Sequence, residues 1–96
     1  MSGIARLGDT CTGYCIYHGP QNGVIISASD DTFVTGDGIA RLGDYVLADC
    51  GHEGVISSAS TDTFVNDMGV ARLGDSVDGD FVATIVSAST DAFAND

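Results

Sequence analysis

The sequence spells nearly the same heptapeptide three times. The copies are GIARLGD at residues 3–9, GIARLGD at 38–44 and GVARLGD at 69–75. A second block with the pattern SAS-x-D-x-F follows each copy and ends at Phe33, Phe64 and Phe93. The repeat units span about residues 3–34, 38–65 and 69–94. Because 96 residues is the length of one domain, we expect a single domain over 1–96 built from three like units.

The spacings between these blocks are of two kinds. The spacing from each phenylalanine to the next arginine is constant, as it is the same from Phe33 to Arg41 and from Phe64 to Arg72. The stretch between RLGD and SAS varies, and it is longest in the first unit and shortest in the third. Loops at a surface tolerate such insertions. In a pseudo-threefold arrangement we therefore expect the variable loops to gather at one end. We also expect the two chain ends to lie side by side, since together they rebuild a third joint.

Each unit has the local pattern of β-strands. Segments such as GVIISAS and TIVSAS are short, rich in β-branched residues and bounded by turn residues, and no window keeps a helical period. We predict an all-β fold with almost no helix. Equivalent positions predict three core layers around the axis: Ile25, Ile56 and Ile85; Phe33, Phe64 and Phe93; Leu7, Leu42 and Leu73. The small Ala28, Ala59 and Ala88 are expected where the strands approach most closely.

The chain is strongly acidic, with a formal net charge of −11 from three arginines, thirteen aspartates and one glutamate. This charge repels nucleic acid, so we expect no nucleic-acid partner. Each arginine precedes an aspartate by three residues, which predicts a repeated structural ion pair; a ring that grips a partner is the alternative. The sequence shows no signal peptide and no apolar run of the roughly 20 residues that span a membrane, so we expect folding in a cytoplasm.

Three cysteines and two histidines all lie in the first two units. Cys15-x2-His18 and Cys50-x-His52 fall in the variable loops that should converge, and together they make a Cys2His2 set. Such a set suits one structural zinc ion with no open position, and iron is the alternative metal. Scattered thiols and surface histidines without a metal remain the other interpretation. Cys11 occupies a place where the sister units have valine, so we assign it to packing, with a ligand role as the alternative.

Catalysis has little support in the sequence. We find no nucleophile–base pair with a meaningful spacing and no phosphate-binding loop, and a fully ligated metal leaves no position for an activated water. We therefore predict no catalytic residues and no enzymatic activity. A lectin-like binding module and a small metalloenzyme are the alternatives, and they would need a repeated pocket or an open metal position, respectively.

The order of these motifs resembles the PAAR-repeat family. RLGD, a Cys/His loop, SAS-x-D-x-F and a second ARLGD follow one another, with GIAR, GIAR and GVAR in the place of the Pro-Ala-Ala-Arg segment. The resemblance covers essentially the whole chain. It departs from the family in the SAS-x-D-x-F block and in the ligands, because typical members have three histidines and one cysteine.

The resemblance implies a small conical domain of short strands with a metal near the apex. It implies a spike-tip protein that is a monomer when free, and that caps a trimeric β-helical spike with one chain per trimer. Such tips belong to contractile phage tails and type VI secretion systems, are assembled in the bacterial cytoplasm, and touch the target membrane transiently. The end of the chain at Asp96 leads us to expect a bare tip without a fused effector.

Overall fold

The computed structural model describes residues 2–34, 36–89 and 92–94, which form strands and no helix. None of these residues belongs to a helix that could cross a membrane. The predicted all-β fold is confirmed. The strands within these ranges are β1 (Ser2–Gly3), β2 (Thr10–Cys15), β3 (Gly19–Ile25), β4 (Phe33–Val34), β5 (Asp37–Gly38), β6 (Tyr45–Ala48), β7 (Glu53–Ile56), β8 (Phe64–Val65), β9 (Met68–Gly69), β10 (Ser76–Gly79), β11 (Phe81–Ile85) and β12 (Phe93–Ala94).

Six of the strands close into an antiparallel barrel, to which each repeat unit contributes one hairpin. The order around the barrel is β10-β11-β2-β3-β6-β7, with β7 pairing back onto β10. Three two-stranded ribbons, β1–β12, β4–β5 and β8–β9, form the joints between units. The pairing of β1 with β12 brings Gly3 opposite Phe93, so the expectation that the chain ends lie side by side is confirmed.

A ring of three backbone hydrogen bonds marks the pseudo-threefold axis. The N–H of Ala5 donates to the carbonyl of Ala71 (2.9 Å), that of Ala71 to Ala40 (2.9 Å), and that of Ala40 to Ala5 (3.0 Å). All three alanines are fully buried. The alanine of each heptapeptide therefore lies in the packed centre of the molecule.

Apolar side chains from all six barrel strands fill the barrel. The predicted burial of Ile25, Ile56 and Ile85 is confirmed, since each is 1% exposed. Each isoleucine pairs across neighbouring strands with Cys11 or with one of its sister valines, Val46 and Val77, which are all 0% exposed. On the side of the ribbons a separate small cluster holds Ile4, Ile39 and Val70. Alternating buried and exposed residues along β6 and β7 show the period of two that puts one face of each strand inside.

Two of the predicted core layers are wrong. Leu7, Leu42 and Leu73 are 41–45% exposed, and Phe33 and Phe64 are 58% and 59% exposed. The side chain of Phe93 lies outside the described part of the chain. Ala28, Ala59 and Ala88 lie at a close approach of the chain, since a Cβ added at Gly38, Gly69 or Gly3 of the ribbons would be 3.2–3.3 Å from their methyl carbons, but they are only half-buried. Repetition identifies equivalent positions, but it does not say how far from the axis they lie.

The predicted arginine–aspartate ion pairs are confirmed, and they also tie neighbouring units together. Arg41 donates from Nε and Nη2 to both carboxylate oxygens of Asp44, at 3.0 Å each. The hydroxyl of Ser27, from the preceding unit, donates to the same carboxylate at 3.0 Å. The equivalent sets are Arg6, Asp9 and Ser87, and Arg72, Asp75 and Ser58. Each aspartate is buried but fully hydrogen-bonded, which is the condition for a buried charge to be tolerated.

Phe81 breaks the threefold symmetry at the other end of the barrel. It is fully buried, and among the described residues it is the one aromatic member of the main core cluster. A Cβ at Gly23 would lie 2.6 Å from Cε2 of Phe81, so the ring occupies space that a glycine on β3 leaves open. One large side chain from the third unit thus closes the barrel below the loops of the first two units.

Candidate metal centre

The variable loops converge at one end of the barrel, as the repeat spacing predicts. Cys15 is the last residue of β2, and His18 lies in the turn that leads to β3. Cys50 lies in the turn between β6 and β7, and His52 immediately precedes β7. The third loop, between β10 and β11, braces the first, because the backbone N–H of Ile16 donates to the carbonyl of Asp80 (2.9 Å).

The structure brings all four predicted ligands together. One potential ligand atom from each of Cys15, His18, Cys50 and His52 lies within 4.8 Å of all the others. The Sγ atom of Cys15 is 3.5 Å from Nδ1 of His18 and 3.1 Å from Nδ1 of His52. The Sγ atom of Cys50 is 3.6 Å from the same Nδ1 of His52. We refer to these four residues as the Cys/His cluster.

These distances fit a tetrahedral metal site. Zinc binds thiolate sulfur at about 2.3 Å and imidazole nitrogen at about 2.0–2.1 Å, so neighbouring S and N ligands in a tetrahedron lie about 3.5–3.6 Å apart. Two of the three measured S–N distances, those of Cys15 to His18 and Cys50 to His52, have this value, and the third is shorter. The cluster could therefore hold a metal ion through two thiolates and two Nδ1 atoms, without any rearrangement of the strands.

The backbone of both loops is held independently of any metal. In the first loop the N–H of His18 donates to the carbonyl of Cys15 (3.2 Å). In the second, the N–H groups of Gly51 and Ala48 donate to the carbonyls of Ala48 and His52, respectively, at 2.9 Å each. Gly51 has a φ of 94°, which L side chains rarely adopt, so glycine is required at this turn. The barrel thus preorganises the donor atoms.

The ring of His52 lies at the centre of a small aromatic group. The His18 ring stacks on it with centroids 5.0 Å apart and planes at 27°, and the Tyr17 ring lies tilted against it at 4.9 Å. Tyr17 and its neighbour Ile16 are 65% and 54% exposed. Sequence reasoning missed Tyr17, and the only signal for it was its position directly before a predicted ligand.

The two kinds of cysteine differ in their electrostatics. For Cys15, burial raises the pKa, but hydrogen bonds from the Tyr17 backbone and from the His18 and Cys50 side chains outweigh that effect, so the net pKa lies below the ordinary thiol value. A lowered thiol pKa favours the thiolate form that binds metals. For Cys11, burial and then the Asp9 charge raise the pKa to about 11.

Cys11 is therefore a packing residue. It is fully buried, it belongs to the apolar core of the barrel, and it is not part of the Cys/His cluster. A neutral thiol in the same core as Val46 and Val77 behaves as a small apolar side chain. The alternative ligand role for Cys11 is not supported by this geometry.

The opposite end of the barrel carries an exposed apolar surface. Each RLGD turn precedes β2, β6 or β10, so the leucines lie where these strands begin, away from the loops in which they end. We call Leu7, Leu42, Leu73, Phe33 and Phe64 the apolar end; they are between 41% and 59% exposed. A groove of about 460 Å³ runs between Leu42 and Phe64. Sequence reasoning identified these residues but placed them in the core.

No model of a known protein family matches the chain, and no characterised protein sequence matches it. The fold and the Cys/His cluster are therefore the basis for assigning a function.

Proposed function

We propose that this protein is the spike tip of a contractile injection machine, either a phage tail or a type VI secretion system. In this role one chain, monomeric when free, caps the blunt end of a trimeric β-helical spike and sharpens it for piercing the target envelope. The observation that carries the proposal is the threefold ring of Ala5, Ala40 and Ala71, by which a single chain acquires the symmetry of a trimer. The resemblance of the repeats to PAAR repeats supports the same role.

The apolar end is the surface we assign to the spike. A trimeric β-helix ends in three strand edges and apolar side chains, which would aggregate if left uncovered. A partner with three equivalent apolar contacts can cover such an end, because each contact then meets one of the three chains in the same way. The exposed leucines provide these contacts, since Leu7, Leu42 and Leu73 recur at equivalent positions and are exposed to the same degree.

The Cys/His cluster is the feature we assign to the point of the tip. We propose that it holds one structural zinc ion, with iron as the alternative metal. When bound, the metal supplies a clamp between the first and second loops where the barrel is too narrow for a large core. A site in which all four positions are taken by protein side chains gives no support to an enzymatic role. Ile16 and Tyr17, exposed beside the cluster, are the residues we expect to touch the target membrane first.

Binding to a spike tests the proposal. The purified chain, mixed with the trimeric β-helical spike protein encoded nearest to its gene, should form a complex of one chain per trimer by size-exclusion chromatography with light scattering. Changing Leu7, Leu42 and Leu73 together to serine should weaken this complex at least tenfold. The control is Ile16→Ser, a more exposed aliphatic residue at the other end, which should bind like wild type.

Two results would contradict the spike-tip role. One is that the chain forms no complex with any such trimer at micromolar concentration while remaining folded. The other is that a glycan array yields a specific ligand, which would favour the lectin-like alternative. A polar groove of about 360 Å³ beside Thr12, Asn22 and Asp49 is where such a ligand would be sought.

Metal content is tested separately. Elemental analysis of protein purified without chelator should give about one zinc per chain, and His52→Ala should abolish it. The control is Cys11→Val, which copies the sister units and should keep the metal. A zinc content that falls in Cys11→Val and survives in Cys15→Ala would show that the ligands are assigned wrongly.

A further inference from the structure

The two thiols of the Cys/His cluster are close to one another although they come from different repeat units. Both Sγ atoms lie beside Nδ1 of His52, at 3.1 Å for Cys15 and 3.6 Å for Cys50, and the whole cluster lies within 4.8 Å. A disulfide needs an S–S distance of about 2.0 Å, so the sulfurs have to approach by less than about 3 Å. Side-chain rotation and a small shift of one loop can supply this movement.

The two cysteines differ in their access to solvent. Cys15 is 1% exposed and is fixed at the end of β2, where it pairs with Gly19 on one side and Phe81 on the other. Cys50 is half-buried and lies in a turn outside the strands. A small oxidant in solution therefore reaches Cys50 before Cys15, and Cys15 is held in place as the second thiol.

We propose that Cys15 and Cys50 are a redox modification site, at which a hydroperoxide converts the thiol pair into a disulfide. The disulfide links the first loop to the second, and it displaces any metal that the cluster holds, because both sulfur ligands are consumed. The proposal rests on the geometry of the cluster and not on the spike-tip assignment. Its consequence is that the two loops can be cross-linked by a metal in a reducing compartment and by a covalent bond in an oxidising one.

The reaction balances in two steps. The Cys50 thiolate attacks one oxygen of hydrogen peroxide, the O–O bond breaks, and with one proton from solvent the products are a Cys50 sulfenic acid and one water. The Cys15 thiolate then attacks the sulfur of Cys50 and displaces hydroxide, which takes up a second proton and leaves as water. The two sulfurs lose two electrons in total, and the peroxide gains them as it becomes two waters.

The test uses the zinc-loaded protein and one equivalent of hydrogen peroxide. The three free thiols should fall to one, zinc should be released in proportion, and peptide mapping should find a Cys15–Cys50 link. Dithiothreitol should restore three thiols and zinc binding. The same treatment of metal-free protein should form the same link, so this part of the test does not depend on the metal assignment.

Two variants make the outcome specific. Cys11→Val should behave like wild type, with thiols falling from two to none. Cys50→Ser should form no link within the chain, and in it Cys15 should react at least tenfold more slowly because it is buried. A link that includes Cys11, a stable sulfinic acid on Cys50 without a disulfide, or equal reactivity of Cys15 in both proteins would overturn the proposal. Circular dichroism should stay unchanged, since a reaction that requires unfolding would also overturn it.

Discussion

At the scale of single residues, the stability of the fold depends on three buried carboxylates. Each of Asp9, Asp44 and Asp75 accepts hydrogen bonds from the arginine three residues before it and from a serine of the neighbouring unit. The same serines accept hydrogen bonds from backbone N–H groups, as Ser58 does from Ser76 at 2.9 Å. Each unit therefore completes the ion pair of the next, which explains why RLGD and SAS recur together.

We expect Asp75→Ala to destabilise the protein by about 3–5 kcal/mol, because it removes the buried carboxylate that accepts hydrogen bonds from the Arg72 guanidinium and the Ser58 hydroxyl. The measurement is the free energy of unfolding in urea. The control is Asp37→Ala at an exposed position of β5, which should change stability by less than about 0.5 kcal/mol. Equal losses in the two variants would mean that the ion pair contributes nothing beyond the net charge.

Acid should weaken the fold through Asp9. Burial raises the pKa of Asp9, but hydrogen bonds from Arg6 and Ser87 outweigh this effect, and the net pKa lies below its ordinary value of 3.8. A carboxylate whose pKa is lowered by folding stabilises the protein above the unfolded-state pKa, and this contribution is lost as the pH falls through the folded-state pKa. The free energy of unfolding should therefore decrease as the pH is lowered below about 4. Asp9→Asn should flatten this part of the profile, and a profile as steep as that of wild type would contradict the assignment.

The residues also show what a repeated sequence can and cannot predict. The clustering of Cys15, His18, Cys50 and His52 could be predicted because they lie in loops whose convergence follows from pseudo-symmetry alone. The burial of Ile25 was predictable from the strand pattern. The exposure of Leu7 and Phe33 was not, because both are large and apolar and nothing in a single sequence distinguishes such a residue in the core from one at the surface.

At the scale of elements, the barrel combines three similar hairpins with one large side chain, Phe81, that has no equivalent in the other two units. The β2–β3 hairpin is the longest and pairs over six residues, from Thr10 to Cys15. Its strand β3 has Gly23 where β11 has Ala83, and the space above this glycine is filled by Phe81. Sequence comparison predicted short strands in each unit but not this exchange, because the units differ most in the stretch where Phe81 lies and no sister residue indicates its role.

A double-mutant cycle tests this packing. Gly23→Ala should cost about 1–3 kcal/mol, because its Cβ would lie 2.6 Å from the Phe81 ring and 2.9 Å from the Leu47 carbonyl. Phe81→Ala should cost about 3–5 kcal/mol by opening a cavity. The combined variant should lose clearly less than the sum, since the ring no longer obstructs the methyl group. Gly43→Ala, a position with φ of 91° and no neighbouring atom, is the control and should be additive with Phe81→Ala.

At the scale of the whole molecule, the two ends have different sources of stability. The molecule extends over 34 × 23 × 23 Å. The alanine ring belongs to the main apolar core, whereas Cys50 of the Cys/His cluster only packs against that core. We expect removal of the proposed zinc to lower the melting temperature without unfolding the barrel. Hydrogen exchange should quicken at residues 15–19 and 48–53 but not at Ala5, Ala40 or Ala71. Uniform loss of protection throughout the barrel would show that the metal holds the entire fold.

The pairing of β1 with β12 has a consequence for how the chain is threaded. These two strands form a ribbon of the same kind as β4–β5 and β8–β9, which lie within the chain. The chain ends therefore lie at one of three equivalent joints between units. A circularly permuted protein, with its original ends connected and the turn between Asn66 and Asp67 opened, retains every barrel strand and the complete alanine ring. The architecture is thus closed even though the polypeptide is not, and any of its joints could serve as the point at which another domain is attached.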